Sequence, residues 1–252
     1  VQLGDARSIE ECLSALARAP RSSAWLQGRG WNPHHWGGAY PDRTQLDAVT
    51  ADRPAAFQSH DMHALWVNSA ALQLAGIDAS TPDPEGGRIG RDEHGAPTGM
   101  LLETAAQLVV GHIPQVSTTD MLAAVADAQR ELHSYGITGI HSFPGVHLPE
   151  PDPLTVLQQL LESGVLQLRV LQHIAADKLD AAIRLGIRSG LGGDWIRFGG
   201  VKLFLDGALG SRTAWMREPY ENSGDRGVEV LPATEFVEIV RRAARAGLAT
   251  VV

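Results

Sequence analysis

Lys202 is the residue whose chemistry most needs an explanation. The chain carries 21 basic residues, and only two of them, Lys178 and Lys202, are lysines. Residues 196–205 (IRFGGVKLFL) are rich in branched and aromatic side chains, lack proline and have turn residues on both sides, which predicts a buried strand. The strand breaks at Asp206-Gly207 into a loop carrying Ser211, Arg212 and Thr213. Alternation along a strand places Val201, Leu203 and Leu205 on one face, and Lys202 on the other with Gly200 and Phe204. An unpaired ammonium there is costly. A lysine can lose its proton when buried and act as a base or nucleophile, which arginine cannot do. It can also carry its ammonium out to solvent at the strand end. Spacing alone leaves both readings open.

Histidines and one glutamate are the other candidates. His60 and His63 stand three apart in HDMHALWVNSAAL, a spacing that could hold a metal. The adjacent His34 and His35 fall in a Gly/Pro-bounded loop, where packing or substrate contact competes with a metal role. His94 lies in a charged turn and is expected to be solvated. Glu103 ends GMLLE, and the plain expectation is a first-turn glutamate favoured by the helix dipole. His141 and His173 fall at the ends of predicted strands.

The elements that position these residues are of two kinds. Before residue 117 the pattern is mixed: a Ser-capped amphipathic helix over 8–19, a short strand at 24–27 and a helical turn at 44–50. A strand through Phe57, a helix over 64–75, a turn-rich hairpin over 81–98 and a helix running from Glu103 to Val110 follow. After residue 117 helix and strand alternate: helices over 119–135, 154–163, 178–189 and 234–246, strands over 137–143, 168–174 and 196–205, and an apolar run GLATVV at the end. That alternation predicts a parallel α/β sheet. At this repetition it fits part of a (β/α)8 barrel, in which function sits at the C-terminal strand ends. Lys202, His141 and His173 all fall at or near such ends.

VKLFLDGALGSRTAWM followed by PY resembles the corresponding motif of the amidohydrolase family 3 (YtcJ-like) metal-dependent hydrolases. LQGRGWNPHHW, LDAVTADRPAAFQSHDMHALWVNSAAL, AGIDASTPDPEGGRIGRDEHGAPTGMLLE and GITGIHSF match that family in the same order. The resemblance implies barrel strands 2 to 4 and the start of strand 5 over 117–252, preceded by an α+β inserted segment over 1–116 near the mouth of the site. It also implies hydrolysis of non-peptide C–N bonds of a small molecule, with one or two divalent ions, zinc being the expected metal. Lys202 takes the strand-4 lysine position, where the wider superfamily carries a carboxylated lysine. Lys202 and Asp206, in the shared motif, are the catalytic candidates; Lys202 is the metal ligand that the resemblance implies, and His141, converging with it at the strand ends, is the second metal-ligand candidate. His63, Glu103, His173 and Arg212 are the substrate-binding candidates.

The chain departs from that pattern in having no His-x-His. It also opens at Val1 and closes inside an apolar run, as a piece of a longer, metal-binding parent would. The piece alone is expected to hold no metal and to be inactive. Two other classes stay open: a binding or structural module on the same scaffold, and a Schiff-base lyase using Lys202.

Composition narrows the partners. A net charge of −8 gives no basic footprint for nucleic acid. No apolar run approaches membrane-spanning length. The single Cys12 rules out an internal disulfide and reads as a small buried hydrophobe. Composition leads to the expectation of a soluble cytoplasmic protein; the resemblance adds a small-molecule substrate, and a homo-oligomer or association through exposed barrel edges.

Overall fold

The computed structural model describes residues 1–20, 23–143, 152–221 and 223–252. The chain divides into two compact units, Val1–Pro114 with Asp206–Val230, and Gln115–Leu205 with Leu231–Val252. The expected division at 116/117 treated everything after it as one body. The structure instead groups the loop after the Lys202 strand with the first unit.

The first unit is α+β. Helix α1 (Ile9–Ala17) starts where the Ser8 hydroxyl accepts from the Glu11 N–H. Strand β1 (Leu26–Trp31) leads to a 3-10 turn and then to α2 (Arg43–Thr50), whose Asp42 and Gln45 form a capping box. Strands β2 (Ala55–Ser59) and β3 (Ala64–Val67) follow, then α3 (Ser69–Leu74), strands β4 (Gly87–Arg91) and β5 (Pro97–Glu103), and α4 (Gln107–Val110) after a 3-10 turn. The sheet order is β1-β2-β3-β5-β4, parallel between β1 and β2 and antiparallel elsewhere. Trp31, Phe57, Trp66, Leu46, Met100 and Leu102 pack with Cys12 and Leu16 of α1 as its core. Cys12 is fully buried, and its thiol is pushed up to about 11, first by burial. It is a packing residue, as expected.

The predicted helix over 64–75 is corrected here. Residues 64–67 are a strand paired on both sides, to β2 and to β5, and every one of its side chains is buried. The helix begins only at Ser69, where the buried Asn68 side chain accepts from the Ala71 N–H. A short apolar run carries no period that separates a doubly buried strand from a helix.

The second unit holds α5 (Thr118–Ser134), β6 (Gly139–Ser142), α6 (Pro153–Glu162), β7 (Arg169–Ala175), α7 (Leu179–Arg184), β8 (Ile196–Lys202), α8 (Ala233–Arg245) and β9 (Ala249–Val251). Its sheet runs β6-β7-β8-β9, with every neighbouring pair parallel. The three strands predicted around His141, His173 and Lys202 are therefore adjacent and in chain order. Strand β8 stops at Lys202 rather than at Leu205, although the Leu203 N–H still donates to the Val251 carbonyl at 2.8 Å. Val201 and Leu203 are buried with Ile174, Leu179 and Ala243 on one side of the strand, and Lys202 takes the other.

Candidate active site

In the second unit the Lys202 amine lies over two aromatic faces, 4.5 Å from the centre of Phe204 and 5.5 Å from that of Phe143. No carboxylate pairs with it among the described residues. Burial lowers its pKa, because the charged form loses water without gaining a counter-ion. Phe143 stacks on the imidazole of His173, with ring centres 4.6 Å apart and planes 9° apart. His173 is 3% exposed, and its Nε2 lies 3.1 Å from Nδ1 of His141. The Gly200 N–H donates to His173 Nδ1 at 3.0 Å. Burial, then the neighbouring His141 and Lys202, push the His173 pKa down. Lys202, His141 and His173 thus meet on one face of the parallel sheet.

A second cluster belongs to the first unit. His63 Nδ1 is 3.0 Å from both carboxylate oxygens of Glu103. Glu103 is 4% exposed and holds φ +52° at the end of β5, so it is not the first-turn helix glutamate of the plain reading. It ends β5 and turns the backbone through a left-handed conformation that a non-glycine residue adopts only under constraint. Met62 and Arg212 share that sign of φ. Burial alone would lower the His63 pKa; Glu103, with Asp61 and Asp206, outweighs it and raises it.

Asp61 accepts from the Ser59 hydroxyl, the Ser211 hydroxyl and the His63 N–H, and Tyr40 donates from its hydroxyl to the Ser211 carbonyl. These bonds line a cleft with Trp31, His34 and His60. Asp206 accepts from the Trp215 N–H at 2.8 Å, which shapes the loop that carries Arg212.

The sequence-predicted residues therefore fall into two groups, Lys202, His141 and His173 in one unit and His63, Glu103, Asp206 and Arg212 in the other. Asp61 and Ser211 were missed as site residues: Asp61 stands inside the HDMH block, which was read for its histidines alone, and a Ser in a turn carries no distinguishing pattern. The roles of Gly199 and Gly200 were missed too, although a Gly-Gly pair inside a strand is itself a mark of close approach. His35 is held by the Ala6 carbonyl at 2.8 Å and by Arg7 at 3.1 Å, a packing role. His94 is exposed, as expected.

The amidohydrolase family model matches residues 1–252. The chain belongs to the amidohydrolase family. It is 34% identical to the putative amidohydrolase YtcJ of Bacillus subtilis over 96% of this chain and 46% of that protein. It is 40% identical to the N-substituted formamide deformylase of Arthrobacter pascens over 40% of this chain and 20% of that protein. A crystal structure of a metal-dependent hydrolase from Pyrococcus horikoshii matches with TM-score 0.62 and 26% identity, over 99% of this chain and 48% of that one. This amidohydrolase chain spans about half the length of the relatives it matches.

The donor set tests the fit of a metal. Lys202 fits: its amine is half-buried at a strand end, and no carboxylate pairs with it among the described residues. The imidazoles fit less well, because His141 Nδ1 and His173 Nε2 face each other and His173 Nδ1 is taken by Gly200. Among the described residues no three His, Cys, Asp or Glu side chains gather as a ligand set.

Proposed function

We propose that this chain is the part of a metal-dependent amidohydrolase that carries its carboxylated lysine, and that the whole enzyme hydrolyses a non-peptide C–N bond of an amide-type small molecule. The observation that carries the reading is the place of the Lys202 amine, half-buried at the C-terminal end of β8 over the faces of Phe143 and Phe204, with no carboxylate paired to it among the described residues. A neutral amine adds CO2 and releases a proton, giving a carbamate; a cation that the site disfavours becomes an anion able to hold divalent ions. A divalent ion, zinc in this reading, would polarise the scissile carbonyl and bring the pKa of water to about 7. Ligands beyond Lys202 would come from outside these residues, so the chain alone is expected to turn nothing over.

His63, Glu103 and Arg212 serve as substrate-binding groups in this reading, and Asp206 stays with Lys202 as a catalytic candidate through their shared motif. The closed (β/α)8 barrel and a cytoplasmic location belong to the same proposal. No helix among the described residues is long and apolar enough to cross a membrane.

The test is made on the full-length protein. Lys202→Ala should remove metal and activity together, with partial rescue by a short carboxylic acid that fills the place of the carbamate. Lys202→Arg should remain inactive, since a guanidinium cannot form the carbamate. Retention of both metal and turnover by Lys202→Arg would overturn the assignment. Borohydride trapping of substrate on Lys202 would favour a Schiff-base lyase instead.

A further inference from the structure

The two histidines beside Lys202 carry a directionality that their positions alone do not show. A backbone N–H can only donate, so the Gly200 N–H, 3.0 Å from His173 Nδ1, requires that nitrogen to be bare. The proton of the His173 ring is then on Nε2, which lies 3.1 Å from His141 Nδ1. His141 Nδ1 must accept it, and the neutral His141 ring keeps its own proton on Nε2. His141 is exposed, whereas His173 is buried.

The packing holds His173 where this can happen. Phe143 stacks on the ring at 4.6 Å. A Cβ built on Gly199 would lie 2.5 Å from His173 Cε1 and 2.7 Å from Nδ1. Only glycine at 199 lets the imidazole lie against the strand that presents the Gly200 N–H. The burial of the ring disfavours a second proton on His173.

We propose that Gly200, His173 and His141 form a hydrogen-bond relay of fixed direction, in which His173 is a positioning residue and His141 is a neutral N–H donor toward an acceptor oxygen of the bound ligand, not a metal ligand. A metal on His141 Nε2 would need that nitrogen bare and Nδ1 protonated. The proton on Nδ1 would then meet the N–H of His173. Naming the acceptor as the substrate carbonyl oxygen rests on the hydrolase reading; the relay does not.

Isotopic nitrogen labelling of the histidine rings of this chain, read by proton–nitrogen correlation at neutral pH, tests the relay without turnover. Both rings should show a bare Nδ1 and a protonated Nε2, and zinc chloride should leave the His141 ring signals in place. Gly199→Ala should drive both rings into mixed tautomers. A protonated Nδ1 on His173 in the unsubstituted chain, or a zinc-bound His141, overturns the relay, and neither depends on the variant folding.

The donor role is read in the intact enzyme. His141→Leu should lower kcat/KM by about tenfold, the effect of one lost hydrogen bond, and leave metal content unchanged. His141→Gln, which keeps an N–H, should recover most of it. Loss of metal in His141→Leu, or a glutamine variant as impaired as the leucine one, overturns the donor role while leaving the Lys202 assignment to its own test.

Discussion

His63 is a residue on which opposing effects meet. Its burial disfavours a charged ring, and the Glu103 carboxylate, at 3.0 Å from Nδ1, favours one strongly enough to raise its pKa. A histidine whose folded pKa lies above its unfolded value of about 6.5 stabilises the fold fully below that value. The contribution is lost as pH rises through the folded pKa. The His63–Glu103 pair should therefore pull the thermal midpoint of the chain down as pH is raised from slightly acidic to slightly alkaline, against the opposite contribution of His173, whose pKa is lowered. His63→Gln and Glu103→Gln should each flatten that slope, and a slope unchanged in both would show that the pair does not set it. None of this was legible in the sequence. From its own residues Glu103 read as a helix-dipole glutamate, and only the family resemblance made it and His63 site candidates, because the two stand 40 positions apart. Lys202, by contrast, stood out at once, because a chain that otherwise uses arginine makes each lysine an exception.

At the scale of elements, regular alternation was read correctly and irregular backbone was not. Helices α5, α6 and α8 and strands β6, β7 and β8 lie within a few residues of where their periods place them, since caps such as Ser117 and Asp152 and the glycines after each helix mark their ends. The loop 206–230 was assigned by chain order to the unit that precedes it, yet long-range side-chain bonds tie it to the first unit. Asp61 accepts from Ser211, Tyr40 donates to the Ser211 carbonyl, and Arg88 pairs with Asp225 at 2.7 Å. Asp61 is the partly buried point of this tether, and three donors keep its pKa below the usual carboxylate range against the effect of burial. Asp61→Ala should therefore loosen the loop before it unfolds the sheet. Hydrogen exchange should rise across residues 206–230 and stay slow in β2, β3 and β5. Equal exchange increases in the loop and in those strands would mean that Asp61 supports the unit as a whole rather than the loop.

The largest scale concerns what the parallel sheet leaves open. In the second unit the described strands run β6-β7-β8-β9, so β6 and β9 have unpaired outer edges. Such edges offer a row of free backbone donors and acceptors to another strand. Proteins usually blunt an edge with charge, proline or a bulge, and β6 (Gly139–Ser142) has none of these. Apolar side chains flank it in the open: Ile137 is 39% and Phe143 43% exposed. The sequence made this side of the fold legible only as helix–strand alternation, because a period says which face of a strand is apolar but not which strand lies at an edge. A chain with these edges should associate as its concentration rises, by strand pairing and by burial of the apolar flanks together. Light scattering should show species larger than a monomer, and a hydrophobic dye should bind. Ile137→Lys combined with Phe143→Lys should shift the chain toward monomer and weaken dye binding, since like charges along an edge oppose pairing. A chain that stays monomeric at high concentration and takes up no dye would show that the edges are closed in solution by something other than a second copy.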